Sequence, residues 1–384
     1  IIRIQGFTRR WHDGLMKGIV FASLLLAATG AVAQGADRVI NGRVTNDDGE
    51  PLGNALIEVR GLRIPTGSDG RFQIDLATDE PVSLRVSADG HYAMMHTFAG
   101  PDLDGTEGAI GDVALVAKKP GRNLLLFTGD AMLARRYFDP PAGEPALIRK
   151  GREFPDGKKV LAPIKPYVEL ADYASVNLET QLSSGKLSDR LPKSITFYSP
   201  DELARLLEWA GFDYAALGNN HTWDYQAEGL KATFEALSQT GLGYSGAGFD
   251  EPSARAPHVA DLDGQSFAFL SYVGWAGTFS PHQAAEGEKG GAALGGSDVF
   301  AADLAAVPAR TGSVLQYHSG LEYSDAPATS ERTRLREAVD NGADVAIGHH
   351  AHILQGLEIY KNRLVAYSMG NFLFDQTYYT TQLG

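Results

Sequence analysis

The stretch Gly342-Ala-Asp-Val-Ala-Ile-Gly348-His349-His350-Ala351-His352 sets an apolar run against a glycine turn that carries three imidazoles. An apolar run of this length ending on glycine reads as a buried strand, and such strands belong to layered α/β folds. Neutral imidazole nitrogens buried together need partners and charged ones repel, so a cation is the economical occupant of the turn. His350 and His352, one residue apart on an extended segment, are expected to point to one side and reach one ion or two adjacent ions.

Working outward, other apolar runs repeat the pattern: Leu124 to Phe127, Ala174 to Val176, Tyr214 to Leu217, Phe267 to Tyr272, Val314 to Tyr317 and Leu364 to Tyr367. Helical segments alternate with them. Ser199-Pro200-Asp201-Glu202 predicts a helix start with proline in its first turn, ahead of Leu203, Leu206, Leu207 and Ala210 on one face. A second helix is expected from about Tyr225 to Gln239 and a third from about Ser330 to Asn341, stopping at Gly342. The Gly- and Ala-rich stretch from Trp275 to Ser297 lacks periodicity and reads as a mobile loop beside the site.

Polar residues cluster directly after these runs: Thr128-Gly129-Asp130, Asn177-Leu178-Glu179, Gly218-Asn219-Asn220-His221 and His318-Ser-Gly-Leu-Glu322. Loops at the carboxyl ends of parallel strands open on one crevice, so these clusters and the histidine turn are expected to converge. Carboxylates, an amide and imidazoles are the donors of a hydrolytic divalent site of the Mn, Fe or Zn type, with one or two ions. His91, His96, His258 and His282 are assigned no role, and His349 reads as a flanking residue facing away from the ions.

The chain has 384 residues, a formal charge of −13 and no cysteine. This length suits two domains; the acidic balance argues against nucleic acid as the main partner, and any metal must be held by N and O donors. Arg9-Arg10 and Lys17 flank the apolar run Gly18 to Ala27, and Ala31-Val32-Ala33 follows. This reads as a signal peptide over residues 1–33, with translation starting at Met16 and residues 1–15 upstream of the true start. An uncleaved anchor is the competing reading, although the run is shorter than the roughly 20 residues of a bilayer span. The expected location is therefore exported, periplasmic or associated with the cell envelope.

Residues 37–118 differ in character. Short alternating stretches at Arg38 to Val44, Ala55 to Val59, Arg71 to Leu76 and Val82 to Val86 are punctuated by Asp48-Gly49, Asp69-Gly70 and Asp89-Gly90. They predict a small antiparallel β-sandwich. The pieces Gly42-x-Val44, Gly49-Glu-Pro-Leu-Gly-Asn-Ala55, Thr66-x-x-Asp69-Gly70-x-Phe72 and Val86-Ser-Ala-Asp-Gly90-His-Tyr92 resemble the carboxypeptidase regulatory-like domain. That resemblance implies a sandwich of seven or so strands without catalysis of its own. Lys118-Lys119-Pro120-Gly121-Arg122 reads as the linker.

The segments Phe212 to Tyr225, Gly229 to Leu237, Tyr244-Ser-Gly-Ala-Gly248, His318-x-Gly320-x-Glu322-Tyr323, Gly342 to His352 and Tyr367-Ser-Met-Gly370-Asn371-Phe372-x-Phe374-Asp375 resemble, in order and spacing, the CapA/PgsA capsule-synthesis family. The resemblance covers about residues 121–384. It implies a four-layer αββα metallophosphatase-like domain after the all-β sandwich, and a role in poly-γ-glutamate synthesis, export or anchoring. The partners implied are a capsular polymer or other anionic substrate and membrane-bound capsule proteins. The same resemblance implies that Asp130 and His352 serve one ion and that Asn220, His318 and His350 serve a second. Glu179 stands where the bridging Asp usually is, and His221 where the general acid or phosphate contact is. Arg135, Arg136 and Glu322 are candidates for contact with an anionic substrate. Met132 departs from the Asp-x-His pattern and implies a weakened or single-metal site. The family's members extend beyond Asp375, so final elements are expected to be missing here. The alternative readings are a non-catalytic polymer-binding or scaffold component, and a metallophosphoesterase of other substrate.

Overall fold

A computed structural model describes residues 2–5, 37–77, 80–99, 102–103 and 108–376. The chain divides into two compact units, residues 6–122 and residues 1–5 with 123–384. The expected leader lies outside the described residues except for Ile2–Gln5, which pairs antiparallel with Leu124–Phe127.

In the smaller unit, Arg71–Ala77, Asp37–Asn46 and Ala109–Leu115 form one sheet. Leu62–Pro65, Leu56–Val59, Val82–Ser87 and Met94–Phe98 form the other. Alternate residues face inward, so Ile40, Val44, Ile57, Val59, Ile74, Leu84, Val86, Val113 and Leu115 make one dry core. This is the sandwich that the period-two pattern predicts, except that Ala109–Leu115 joins its sheet parallel to Asp37–Asn46, where antiparallel pairing is expected throughout. Gly70 sits in its Asp-Gly turn at φ 77°, where an added Cβ would lie 2.4 Å from the Val44 carbonyl oxygen.

The larger unit has two mixed sheets. In the first, Leu124–Ala131, Tyr173–Leu178, Tyr214–Ala216 and Gly243–Ser245 run parallel, and Asn371–Leu373 pairs parallel with Leu124–Ala131. In the second, Gln265–Val273, Gly312–His318, Val345–His349 and Arg363–Ala366 run parallel, with antiparallel edges at His258–Leu262 and Leu357–Tyr360.

Side-chain alternation sorts these strands into layers. Leu125, Phe127, Tyr173 and Tyr214 of the first sheet meet Phe269, Val314, Val345 and Ile347 of the second. The opposite face of the first sheet, with Leu126, Ala174, Val176 and Ala215, packs on Leu161, Leu206, Leu207, Leu230 and Leu237. Those leucines belong to helices Glu153–Leu161, Glu202–Ala210 and Gln226–Leu237. Leu270, Leu315, Ala346 and Val365 of the second sheet pack on Phe300 and Leu304 of helix Ser297–Ala305 and Leu335 and Val339 of helix Thr329–Asp340. The architecture is therefore helix, sheet, sheet, helix. Each buried Leu or Phe contributes about 1.5–3 kcal/mol to holding the layers together.

Two local expectations need correction. Helix Glu202–Ala210 starts from Asp201, because Ser199 is taken up by strand Tyr198–Pro200, which pairs with Gln181–Ser183. There Ser199 Oγ donates to Thr180 Oγ1 at 3.1 Å and accepts from the Leu133 amide at 3.0 Å. The stretch from Trp275 to Ser297 is packed: Gln283, Ala284, Ala285, Ala292 and Ala293 are buried, and Gln283 Nε2 donates to the Trp275 carbonyl at 3.0 Å.

Candidate metal centre

Two glycines let the strand ends close up on one another. A Cβ on Gly129 would lie 2.0 Å from the Gly370 carbonyl oxygen, and one on Gly348 would lie 2.0 Å from that of Tyr367. Asp130 follows the first of these and His349 the second, so both strand ends are held against the strand behind them. The Asp130 amide donates to the Gly370 carbonyl at 2.9 Å.

The residues expected to converge do so. Asp130, Glu179 and His318 each offer an atom within 4.8 Å of the others, as do Glu179, His350 and His352. His318 Nε2 lies 3.7 Å from Glu179 Oε1 and 2.9 Å from Asn220 Oδ1. His352 Nδ1 lies 3.2 Å from Asp130 Oδ2, and its Nε2 is 3.9 Å from Glu179 Oε1. His221 Nε2 stands 3.7 Å from the same Glu179 oxygen. The histidine turn reaches this point differently from the extended segment expected. His350 and His352 adopt left-handed backbone, with φ 92° and 57°, a strained conformation of the kind that collects at functional sites.

The cluster is short of hydrogen bonds. Glu179 is wholly buried and neither of its carboxylate oxygens has a hydrogen-bond partner; Asp130 Oδ2, His349 Nδ1 and His350 Nδ1 are also buried without one. A buried carboxylate left in this way costs several kcal/mol. Carboxylate, amide and imidazole donors at these separations fit a divalent cation, which would relieve that cost.

Electrostatics separate the two carboxylates. Burial alone would push Asp130 up, but contacts with the His349 and His352 rings outweigh it and hold its carboxyl well below the usual range. Glu179 is driven well above its usual range by burial and then by the Asp130 charge, with exposed Glu322 adding to it. Burial lowers His318 strongly and pushes His350 down to about 3. Both rings therefore stay neutral and keep a lone pair for a cation. His352 is raised, because contact with Asp130 outweighs its burial.

Several supporting residues carried no assignment from sequence. Asn177 Nδ2 donates to Asp130 Oδ1 at 2.7 Å, from the next strand of the sheet. His352 Nδ1 is 2.8 Å from Asn371 Oδ1, and Asn371 Nδ2 donates to Gln376 Oε1 at 3.0 Å. An amide oxygen only accepts, so Asn371 fixes the His352 proton on Nδ1 and leaves Nε2 free toward Glu179. His221 Nδ1 pairs with Asp224 Oδ2 at 2.6 Å, and Lys193 Nζ donates to Asp224 Oδ1 at 2.7 Å. The spacing of His221 and Asp224 was a signal for their pairing, whereas nothing pointed to Lys193. His349 does not face away: its Nδ1 is 3.5 Å from Asp130 Oδ1 and its Nε2 is 2.9 Å from Gln316 Oε1.

Aromatic rings wall the cluster. Phe197 packs on His221, Phe374 on His352 and Trp275 on His350, with ring centroids 4.1, 4.8 and 4.9 Å apart. Met132 is fully buried among Ala134, Phe197 and Phe374, so this position is apolar. Arg135 lies over the Phe197 ring at 4.9 Å and forks onto Asp375 with bonds of 3.0 and 2.6 Å. The Arg136 amide shares the Asp375 carboxylate at 3.0 Å.

Fold and cluster together define a four-layer α/β protein with a buried carboxylate and imidazole centre suited to a divalent cation. The chain belongs to the family described as bacterial capsule synthesis protein PGA_cap, which residues 124–376 match. It is similar to the capsule biosynthesis protein CapA of Bacillus anthracis, at 31% identity over 70% of this chain and 64% of that protein. It is also similar to the PGA biosynthesis protein CapA of Bacillus subtilis, at 26% identity over 67% of this chain and 64% of that protein. The chain thus spans just under two thirds of the length of these relatives. Among solved structures, sulfate thiohydrolase SoxB of Thermus thermophilus aligns at 13% identity and a TM-score of 0.33, covering 56% of this chain and 37% of that one.

Proposed function

We propose that this protein is a metal-dependent, hydrolase-type component of poly-γ-glutamate capsule synthesis, working at the cell envelope after export. The names of its CapA relatives support the capsule setting. The signal-like N-terminus supports export. Among the described residues, no helix is long and apolar enough to cross a membrane.

The observation that carries the chemical reading is Glu179, a wholly buried carboxylate with both oxygens unpaired among His221, His318 and His352. Asp130 and His352 would hold one divalent ion of the Mn, Fe or Zn type. Asn220, His318 and His350 would hold a second, with Glu179 shared. Bound there, such an ion supplies charge stabilisation and lowers the pKa of water. The buried Met132 adds no ligand, which favours unequal filling of the two positions.

The chain's own residues do the rest. Asp224, anchored by Lys193, orients the His221 ring so that Nε2 faces the cluster. Burial lowers His221 and the Asp224 charge works against this, so Nε2 would contact the substrate or, in the imidazolium paired with Asp224, give its proton to the leaving group. Phe197, Phe374 and Trp275 limit water around the cluster. Arg135, still part-exposed although forked onto Asp375, would meet a carboxylate-bearing substrate at the Phe197 side together with Arg136, whose side chain donates to the Asp375 carbonyl, and Glu322 would bias which part of that substrate approaches.

The test is purification, elemental analysis, and digestion of poly-γ-glutamate with and without added Mn, Fe or Zn. Bound metal and metal-dependent shortening of the polymer are expected; a chain that takes up no metal under any of these conditions sinks the reading. The apolar setting of Met132 favours one alternative, a polymer-binding scaffold. Capsule output that survives loss of the Asp130 and His350 side chains would decide for it.

A further inference from the structure

The net charge of −13 conceals one cationic face. Between residues 149 and 169, Arg149, Lys150, Arg152, Lys158, Lys159 and Lys165 stand against three carboxylates, Glu153, Asp156 and Glu169, and Glu169 pairs with Lys165 at 2.6 Å. Asp156 is buried, and three cations crowd it. Arg149 forks onto it with two bonds of 2.7 Å, while Lys159 stands at 3.5 Å and Arg152 at 3.7 Å. The side chains of these three cations are 56, 71 and 51% exposed. One carboxylate neutralises one cation, so the cluster keeps a surplus of positive charge fixed in place on helix Glu153–Leu161 and the turn before it.

The face continues onto helix Glu202–Ala210 through Arg205, beside which Glu202 lies near Glu153. Lys158 lies over Phe154 and Trp209 at 4.7 and 5.0 Å, Arg205 over Phe154 at 4.6 Å, and Lys165 over Trp209 at 4.9 Å. The rings lie under the charged heads themselves, and the Lys165 head also donates to the Trp209 carbonyl. At its other end the face adjoins the turn that follows Asp130 in the chain. The Ile148 amide donates to the Tyr137 carbonyl at 2.9 Å, which sets Arg149 beside the turn Arg135–Tyr137.

We propose that this face is a binding track for a flexible polyanion that carries one carboxylate per repeat, led along it to the metal cluster. The inference rests on the reading that the protein handles a capsular polymer. Guanidinium forks match carboxylates, and several weak pairs on rigid helices add up along one chain. A membrane surface fits less well, because Phe154 and Trp209 are part-buried under their cations and do not project to enter lipid.

The probe is a short fluorescent poly-γ-glutamate, titrated by anisotropy onto the full metal-loaded chain. Binding that weakens with salt is expected, and Lys150→Glu with Lys159→Glu should weaken it by about tenfold or more. Lys150→Glu with Arg205→Glu, which leaves every ion pair of Asp156 intact, should weaken it in the same direction. Unchanged affinity in both variants overturns the proposal, as does binding to phosphatidylglycerol vesicles without binding to the polymer. Metal content, measured on the same samples, separates the two readings. A metal-free chain that still binds through this face sinks only the hydrolase reading, and a metal-loaded chain indifferent to both variants sinks only the track.

Discussion

The two units bury their interiors by the same alternation but fill them differently. The sandwich core is apolar, and a buried polar group such as Thr66 is satisfied, donating to the Leu52 carbonyl at 2.6 Å and accepting from the Ala55 amide at 3.0 Å. The larger unit buries Asp130, Glu179, Asp224, His221, His318, His349, His350 and His352 around one point and leaves several of their atoms unpaired. A core built only for stability has no reason to carry that cost. The contrast separates a unit that holds shape from one that holds a reactive centre.

The strongest way to break this contrast is to remove its polar half. Glu179→Ala combined with Asp130→Ala is expected to reduce bound metal to background, read by elemental analysis after stripping and reloading, while the sandwich stays folded. In the dry half, Leu84→Ala should cost about 2–5 kcal/mol in denaturant unfolding and leave metal content as it was. Should metal be lost with it, the two units would not be independent in the way the contrast requires. Asn371→Ala frees the His352 ring to change tautomer and should weaken metal binding by about 10–100-fold in a competition titration, with little change in fold.

The smallest effect sharpens the comparison through pH. In metal-stripped protein Glu179 titrates above its unfolded value, so the folded state binds the extra proton and stability falls as pH rises through that window. Glu179→Gln should therefore raise the neutral-pH melting temperature of the stripped protein by ~2–4 °C while abolishing metal uptake. His318 and His350 act in the opposite sense. Their folded values are depressed, so stability is lost as pH falls below about 6.5, where the unfolded chain takes up protons. A stripped Glu179→Gln variant less stable than wild type at neutral pH would show that burial does not raise the Glu179 carboxyl in the folded state.

Much of this was readable along the chain. Every strand of the central sheets from Leu124–Ala131 onward that combined an apolar run with a polar end was visible as such, and Asp130, Glu179, Asn220, His318, His350 and His352 meet because parallel strands share one end. What escaped depends on pairing between strands. Asn177 reaches Asp130 only through the register of two neighbouring strands, and His349 reaches it from the other sheet. Periodicity reports which face a residue takes, not what stands opposite. Ser199 shows the same limit, since a helix-start pattern was overruled by strand pairing with Gln181–Ser183. Strands Leu62–Pro65, Met94–Phe98 and Ala109–Leu115 were missed because their alternation is weak or half-buried.

Strand Asn371–Leu373 lies beside Leu124–Ala131, although nearly the whole larger unit separates them in sequence. During synthesis, the ribosome must deliver residue 371 before Asn371 can steady His352 or Gly370 can close on Gly129. The centre is thus completed only once residue 371 has been made, and a nascent chain released before that point would carry the ligands but not the brace that aligns them.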